Sequence, residues 1–184
     1  MNDIKLLRVF ATISVLAFSC AFVAVSADKP DAATTTRITQ AITTVHPGAK
    51  ITNVGKETED GIEFYEVAFD FNGKSLEGDV TAEGVLLNTE ETAELRTFPA
   101  VAATALKKLT KGLKVKTTEI SRKYARAEKD KSTGAVKVTK FPLPIVAYEA
   151  EVTKGGRSGE FAVSADGTVI ERPKWAKGEE KEKE

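Results

Sequence analysis

The sequence predicts an α+β fold: two tandem helix-plus-meander repeats whose strands form one extended antiparallel sheet, with both helices packed on the same face. Three observations predict it. The stretch "YEVAFDFNGKSLEGDVTAEGVLL", Tyr65 to Leu87, returns 83 residues later as "YEAEVTKGGRSGEFAVSADGTVI", Tyr148 to Ile170, without a gap and with eight of 23 positions identical. Each copy is preceded by apolar residues at helical spacing. Within each copy, apolar and polar residues alternate with the period of a strand.

The first 27 residues read as an export signal and stand apart from the fold. Lys5 and Arg8 supply the positive start, Val9 to Val25 is apolar or small, and Val25-Ser26-Ala27 suits cleavage before Asp28. The run is short for a span that needs about 20 apolar residues. Cys20 follows Ala17-Phe18-Ser19, a poor match to the Leu-Ala-Gly lead of a lipoprotein, so lipidation there and an uncleaved anchor are the minor alternatives. Cleavage would remove the only cysteine, leaving a mature chain stabilised by burial alone, without disulfides or thiolate ligands.

The first repeat is expected over 28–97. Ile38, Ala41, Ile42 and Val45 place one apolar stripe on a helix, and Gly48 can take the left-handed conformation that ends it. "AKITNV" then begins a strand. In the following strand Tyr65, Val67, Phe69 and Phe71 point one way, and Phe64, Glu66, Ala68 and Asp70 the other. Asn72-Gly73 is the signature of a tight hairpin, and Glu83-Gly84 marks the next turn.

The second repeat is expected over 98–175, joined near Leu95 to Phe98. Ala102, Ala105, Leu106 and Leu109 reproduce the stripe 64 residues on, Pro99 suits the first helical turn, and Gly112 matches Gly48. Tyr148, Ala150 and Val152 face one way, and Glu149 and Glu151 the other. Gly155-Gly156 and Asp166-Gly167 are the turns. Because the helices are offset by 64 and the repeated stretches by 83, this copy holds about 19 extra residues, read as an inserted hairpin over about 121–146 with its tip near Ser132-Thr133-Gly134. Pro142 and Pro144 place its exit at an edge or in a loop. Its cations, Arg122, Lys123, Arg126, Lys129, Lys131, Lys137 and Lys140, outnumber Glu119, Glu128 and Asp130, so it is expected to project as a basic contact element. Trp175 is expected to close the core, and the charge run over 176–184 to be disordered.

Composition excludes several functions. Lysine plus arginine equals aspartate plus glutamate, at 27 each, so no net field points to nucleic acid or an anionic membrane. The polar strand face carries Glu66, Asp70, Glu77, Asp79, Glu149, Glu151 and Glu160, which nucleic acid would avoid. The lone His46, just before Pro47, is read as a polar residue favourable at a helix C-terminus rather than a ligand or base. The carboxylate pairs Glu66/Asp70, Glu77/Asp79 and Glu149/Glu151 are expected to be solvated, which denies them the raised pKa of a catalytic acid. No nucleotide loop or cation loop is present, so the chain is read as non-enzymatic, with no cofactor and no metal.

The helix ending in "HPGAKITNV", the stretch "FYEVAFDFNGKSLEGDVTAEGVLL" and the second helix entered through "FPAVAATALKKL" resemble PepSY-like domains, in particular the tandem group likened to the β-lactamase inhibitor protein. The likeness covers most of residues 33–172 and rests on Tyr65-Glu66 and Tyr148-Glu149, the tight turns and Asp166-Gly167. The longer hairpin and Glu83 depart from the pattern, and no target-contacting motif carries over. The resemblance implies a secreted or periplasmic protein that binds other proteins, with inhibition of a peptidase or a β-lactamase-like hydrolase in some members. The expected partner surface is the free sheet face and the basic hairpin: Phe64, Glu66, Asp70, Glu77, Asp79, Glu149 and Glu151, with Tyr124, Arg126 and Lys137. The partner is expected to be a protein, not nucleic acid, and not a membrane once the signal is cleaved. The alternative is a structural envelope protein or a module for small ligands or ions, with no inhibitory role.

Overall fold

The computed structural model describes residues 29–59, 61–173 and 175. The expected signal peptide (1–27) and charged tail (176–184) lie outside the described residues.

Helix α1 (Ala32–Val45) starts at Asp31, whose carboxylate accepts a hydrogen bond from the Thr34 N–H at 2.7 Å, satisfying one of the donors a helix start leaves open. Its stripe buries Ile38 and Ile42 completely. The His46 N–H closes the helix on the Ile42 carbonyl, and Gly48 turns the chain at φ +89°. Helix α2 (Ala100–Leu109) buries Ala102 and Leu106. Pro99 stands at its cap position, one residue ahead of the expected first turn, and Gly112 follows at φ +80°.

The strands are β1 (Lys50–Glu59), β2 (Ile62–Phe71), β3 (Lys74–Val80), β4 (Leu86–Thr92), β5 (Lys114–Lys129), β6 (Val136–Lys154), β7 (Arg157–Val163) and β8 (Val169–Glu171). They form one sheet in the order β1 to β8, each pair antiparallel. Helix and four strands are followed by a 3-10 turn (Leu95–Thr97), then helix and four strands again. The two-residue turns have the expected left-handed pairs, Asn72 and Gly73 at φ 52° and 75°, Gly155 and Gly156 at 57° and 75°.

Cross-strand partners share a face, so the register divides the side chains. On one face α1 packs with Val67, Phe69, Leu76, Val80 and Leu86, and α2 with Ala150, Val152, Phe161 and Val163. The rows Thr89–Arg122–Val146 and Glu91–Ile120–Tyr148–Val163 connect these two clusters across the middle of the same face. Trp175 closes the second cluster, as expected. The chain end lies so close over Gly159 that a Cβ there would stand 2.5 Å from the Pro173 Cβ and 3.3 Å from the Trp175 ring.

The extra residues of the second half lengthen β5 and β6 rather than forming a separate element. At their tip, Asp130 accepts from the N–H groups of Ser132 and Thr133, both at 2.8 Å. Together with the Ser132 hydroxyl, these donors hold its pKa at about 2. Pro142 and Pro144 lie inside β6 at a free edge, the first of the two expected placements, rather than in a loop. They are tolerated because nothing between Lys140 and Ile145 pairs with β5, and pairing with β7 starts only at Tyr148.

The basic hairpin does not project freely. Lys129 Nζ donates to the Gly61 carbonyl at the β1–β2 turn, at 2.9 Å, and β5 comes into contact with β2. In a flat sheet strands three places apart would be about 14 Å from one another, so this sheet curls. Two hairpin cations turn inward. Arg122 stands in the row with Thr89 on the helix-bearing face, and Lys123 points to the opposite face.

Candidate functional site: the acidic sheet face

The helix-free face is built row by row from the register. One row runs Gly55, Glu66, Asp79, Asn88, Lys123, Ile145 across β1 to β6. The next runs Asn53, Ala68, Glu77, Glu90, Ser121, Ala147 over the same strands. Beyond lie Thr92, Glu119, Glu149, Ala162, Glu171, and then Thr117, Glu151, Glu160. Phe64, opposite Glu57, borders the field on the β1–β2 side. The floor is of short side chains, with Ser121, Ala147 and Ala162 fully buried beneath the longer ones around them.

Glu66, Asp79, Glu149 and Glu151 are withdrawn from water, which corrects the sequence expectation for these four, whereas Asp70 and Glu77 are exposed as expected. Glu149 is 2% exposed and Glu151 is 5% exposed. Long acidic side chains crowded over a floor of alanine and serine shield one another from water, and burial penalises their charged form. Burial, then the charges of Glu57 and Glu77, push Glu66 up to about 7. Asp79 is also pushed up to about 7 by burial, against a hydrogen bond from Asn88. Glu90 and Glu160 stand well above the usual carboxylate range through burial and the neighbouring Glu149. Glu77 and Glu119 are raised mainly by burial. Glu149 is raised by burial although Lys123 pulls it down.

Two lysines stand in this field. Lys123 Nζ lies 3.4 Å from Glu149 Oε1 and 4.0 Å from Glu171 Oε2, and these charges hold its pKa up despite its burial. Lys116 Nζ bonds Glu151 Oε1 at 2.8 Å and Ser158 Oγ at 3.1 Å. Asn88 links two rows: its Oδ1 accepts from the Asp79 N–H at 2.9 Å, where the β3–β4 register shifts, and its Nδ2 donates to Glu90 Oε1 at 3.1 Å. Glu149 Oε2 and Ser121 Oγ are buried without a hydrogen-bond partner.

Of the residues singled out in the sequence, Phe64, Glu66, Glu77, Asp79, Glu149 and Glu151 come together on this face. Asp70 shares it but lies exposed at one end, opposite Lys50 and Ser75. Tyr124 does not belong to it. Its ring packs against the α1 cluster and its hydroxyl lies 3.5 Å from Thr89 Oγ1, so the tyrosine expected in a contact hairpin is a core residue. Arg126, 3.2 Å from Glu128, and the exposed Lys137 occupy the far ends of β5 and β6. His46 is another correction. Its ring packs 5.2 Å from Phe69 and 4.9 Å from Phe71, and burial, helped by Arg122, lowers its pKa, so it serves as a neutral core ring rather than a cation at a helix end.

Sequence reasoning did not place Glu57, Glu90, Lys123, Ser121, Ile145 or Glu171 on this face. Only the strand order and register put them beside the others. Among the described residues no group of three or more histidine, cysteine or acidic side chains is arranged to hold a metal ion. No described helix is long and apolar enough to cross a membrane.

The fold is similar to that of several solved structures. A BLIP-like protein from Bacteroides fragilis superposes with a TM-score of 0.52 at 16% identity, over 78% of this chain and 86% of that one. The fold resembles a BLIP-like protein. A DUF2874 family protein from Bacteroides uniformis gives 0.51 at 13% identity, over 74% and 87%. A candidate periplasmic protein from Bacteroides eggerthii gives 0.51 at 13% identity, over 76% and 86%. No known sequence family and no curated protein matches this chain. At such identities the BLIP-like likeness is one of fold.

Proposed function

We propose that the chain is a secreted or periplasmic, non-catalytic protein-binding module that holds its partner on the helix-free sheet face. The observation that carries this reading is the continuous field of carboxylates across β2 to β8, held against burial with two lysines among them. Burying like charges costs free energy in the lone protein, and a partner bringing opposite charge relieves that cost while steering encounter. The BLIP-like fold and the PepSY-like resemblance support the finer version, in which the partner is an extracytoplasmic hydrolase restrained by the contact.

The alternation of helix and four strands supports a duplication with units over 28–97 and 98–175, after a cleaved signal over 1–27 and before a charged tail over 176–184. A single unit is near the lower size limit for a stable fold. Two give a shared sheet wide enough for an interface of about 800 Å² per partner.

The structure selects the variants for the test. Glu149 is too deeply placed for charge reversal, whereas Glu57 and Glu77 are exposed and Glu66 is half-buried. Secreted and envelope fractions of the source cells are passed over the immobilised protein at low and high salt. Recovery of one hydrolase in stoichiometric amounts is expected, with loss both at high salt and in the triple variant Glu57→Lys, Glu66→Lys, Glu77→Lys. Equal recovery by the triple variant would sink the sheet-face reading, and recovery of the protein's own chain alone would favour the structural role.

A further inference from the structure

The carboxylate field has an apolar lip. Ile145 stands on the same face, directly across from Lys123, and is 44% exposed. Leu143, two residues before it in the stretch unpaired with β5, is 77% exposed, the largest exposure of any described large apolar side chain. Among the described residues no strand pairs with the other side of β6 until Tyr148. Leucine and isoleucine are therefore presented at the margin of an acidic surface on a free strand edge, a combination that soluble proteins ordinarily blunt with charge.

Beside the lip, the field is short of one cation. Glu149 Oε2 and Ser121 Oγ are buried and without hydrogen-bond partners; Ser121 belongs to the row next to that of Lys123 and Glu149 to the row beyond it. A buried carboxylate oxygen and a buried hydroxyl that lack partners are costly and rare in finished interiors. The single ammonium of Lys123 is shared between Glu149 and Glu171, at 3.4 and 4.0 Å. Both distances exceed the 2.7–2.9 Å of a good charge-assisted hydrogen bond.

Resting on the reading of this face as a protein-binding surface, we infer that its occupant is a lysine-bearing amphipathic segment of the partner. One lysine ammonium enters the carboxylate field to serve Glu149 and Ser121, and adjoining apolar residues cover Ile145 and Leu143. Lysine suits the position better than arginine. Its ammonium is compact, carries three rotatable donors and sits on a thin flexible stem, and it has to pass between crowded carboxylates to a floor of alanine and serine. The apolar neighbours are needed because charge alone, exchanged against salt ions at an open surface, gives little net affinity.

The test uses the intact protein and three ten-residue peptides with blocked ends, alternating lysine with leucine, lysine with serine, and glutamate with leucine. Binding is followed by calorimetry at low salt and at about three Debye-shortening steps up to 1 M. The lysine–leucine peptide is expected to bind, the glutamate–leucine peptide not at all, and the lysine–serine peptide roughly tenfold more weakly, the loss expected for one or two uncovered apolar side chains. Glu149→Gln keeps the shape and removes the charge, and Leu143→Ser with Ile145→Ser alters only exposed positions. Each is expected to weaken the lysine–leucine peptide about tenfold without changing the circular dichroism. Equal binding of all three peptides, or unchanged affinity in both variants, overturns the inference. If the natural partner is lost in the Glu57, Glu66, Glu77 reversal yet is not displaced by the lysine–leucine peptide, the lysine chemistry fails while the binding face stands. If the reversal leaves partner capture intact, the binding face itself fails.

Discussion

Replacing Asp79 by asparagine should stabilise the protein, and only at pH values where the carboxylate would otherwise be ionised. Asp79 is pushed from 3.8 to about 7, first by burial. At 1.36 kcal/mol per pKa unit, the full shift corresponds to about 4 kcal/mol of penalty on the charged folded form. The side chain is half-buried, so water screens part of this, and about 2 kcal/mol is the working figure. Because the folded pKa lies above the unfolded one, the native state binds more protons between these values. The penalty is absent below about pH 4, grows with pH and is complete above about pH 7. Asp79→Asn is therefore expected to gain about 2 kcal/mol at pH 8, a rise of roughly 4–8 °C in Tm for a chain of this size. At pH 3.5 the gain should fall within about 0.5 kcal/mol of zero. The backbone hydrogen bond from Asp79 to Asn88 is retained. Urea unfolding of both proteins at the two pH values, followed by far-ultraviolet circular dichroism, measures the difference. A gain of equal size at both pH values, or a loss at pH 8, would refute the reasoning.

The same linkage applies to the whole face. Since Glu66, Glu77, Asp79, Glu90, Glu119, Glu149 and Glu160 are all raised, the wild-type urea midpoint should climb as pH falls from about 7 to about 5, opposite to ordinary acid denaturation. Asp31, Asp130 and Asp166 are lowered by hydrogen bonds to their charged forms, so stability should turn down again below about pH 4. Lys123→Met strips Glu149 of its cation and is expected to cost about 3–5 kcal/mol at pH 8. Protonation at pH 5, or the added change Glu149→Gln, should recover most of this in the same urea titration. Gly159→Val forces a side chain into the space held by Pro173 and Trp175 and should cost about 1–3 kcal/mol. The fluorescence of the single tryptophan should move to the red as that end of the chain lifts.

Much of the fold was legible because its signals are local. The helical stripes that carry Ile42 and Leu106 require only neighbouring residues to be read, and Asn72-Gly73 and Gly155-Gly156 state their turn geometry in the residue types themselves. Asp31 could have been read as a helix cap by the same logic. The lengths of β5 and β6 were harder, since Pro142 and Pro144 read equally as a strand edge or a loop. They are accommodated at a free strand margin that exists only because β7 is short. The site was half legible. Alternation assigned Glu66, Asp79 and Glu149 to the polar side of their own strands, but their burial comes from residues on other strands, and no single strand reveals that. Glu90 faces Ser121 and Glu77 through two separate registers, and the shift between Asp79 and Val80 decides which neighbours meet. Tyr124 was misplaced for a related reason: the irregularity between Lys123 and Ala125 sets its direction.

Each strand of this sheet hydrogen-bonds only to the strands immediately before and after it in the chain. A polypeptide that emerges N-terminus first therefore never has to hold a strand open for a partner not yet made. Every new hairpin can zip onto a finished edge, and the loop entropy of long-range pairing is avoided, which favours rapid folding for so large a sheet. The growing edge is always the newest strand. The long β5–β6 hairpin, whose tip lysine reaches back to the first turn, is the one step that joins late chain to early chain, and its arrival is the natural point at which folding becomes cooperative across both halves.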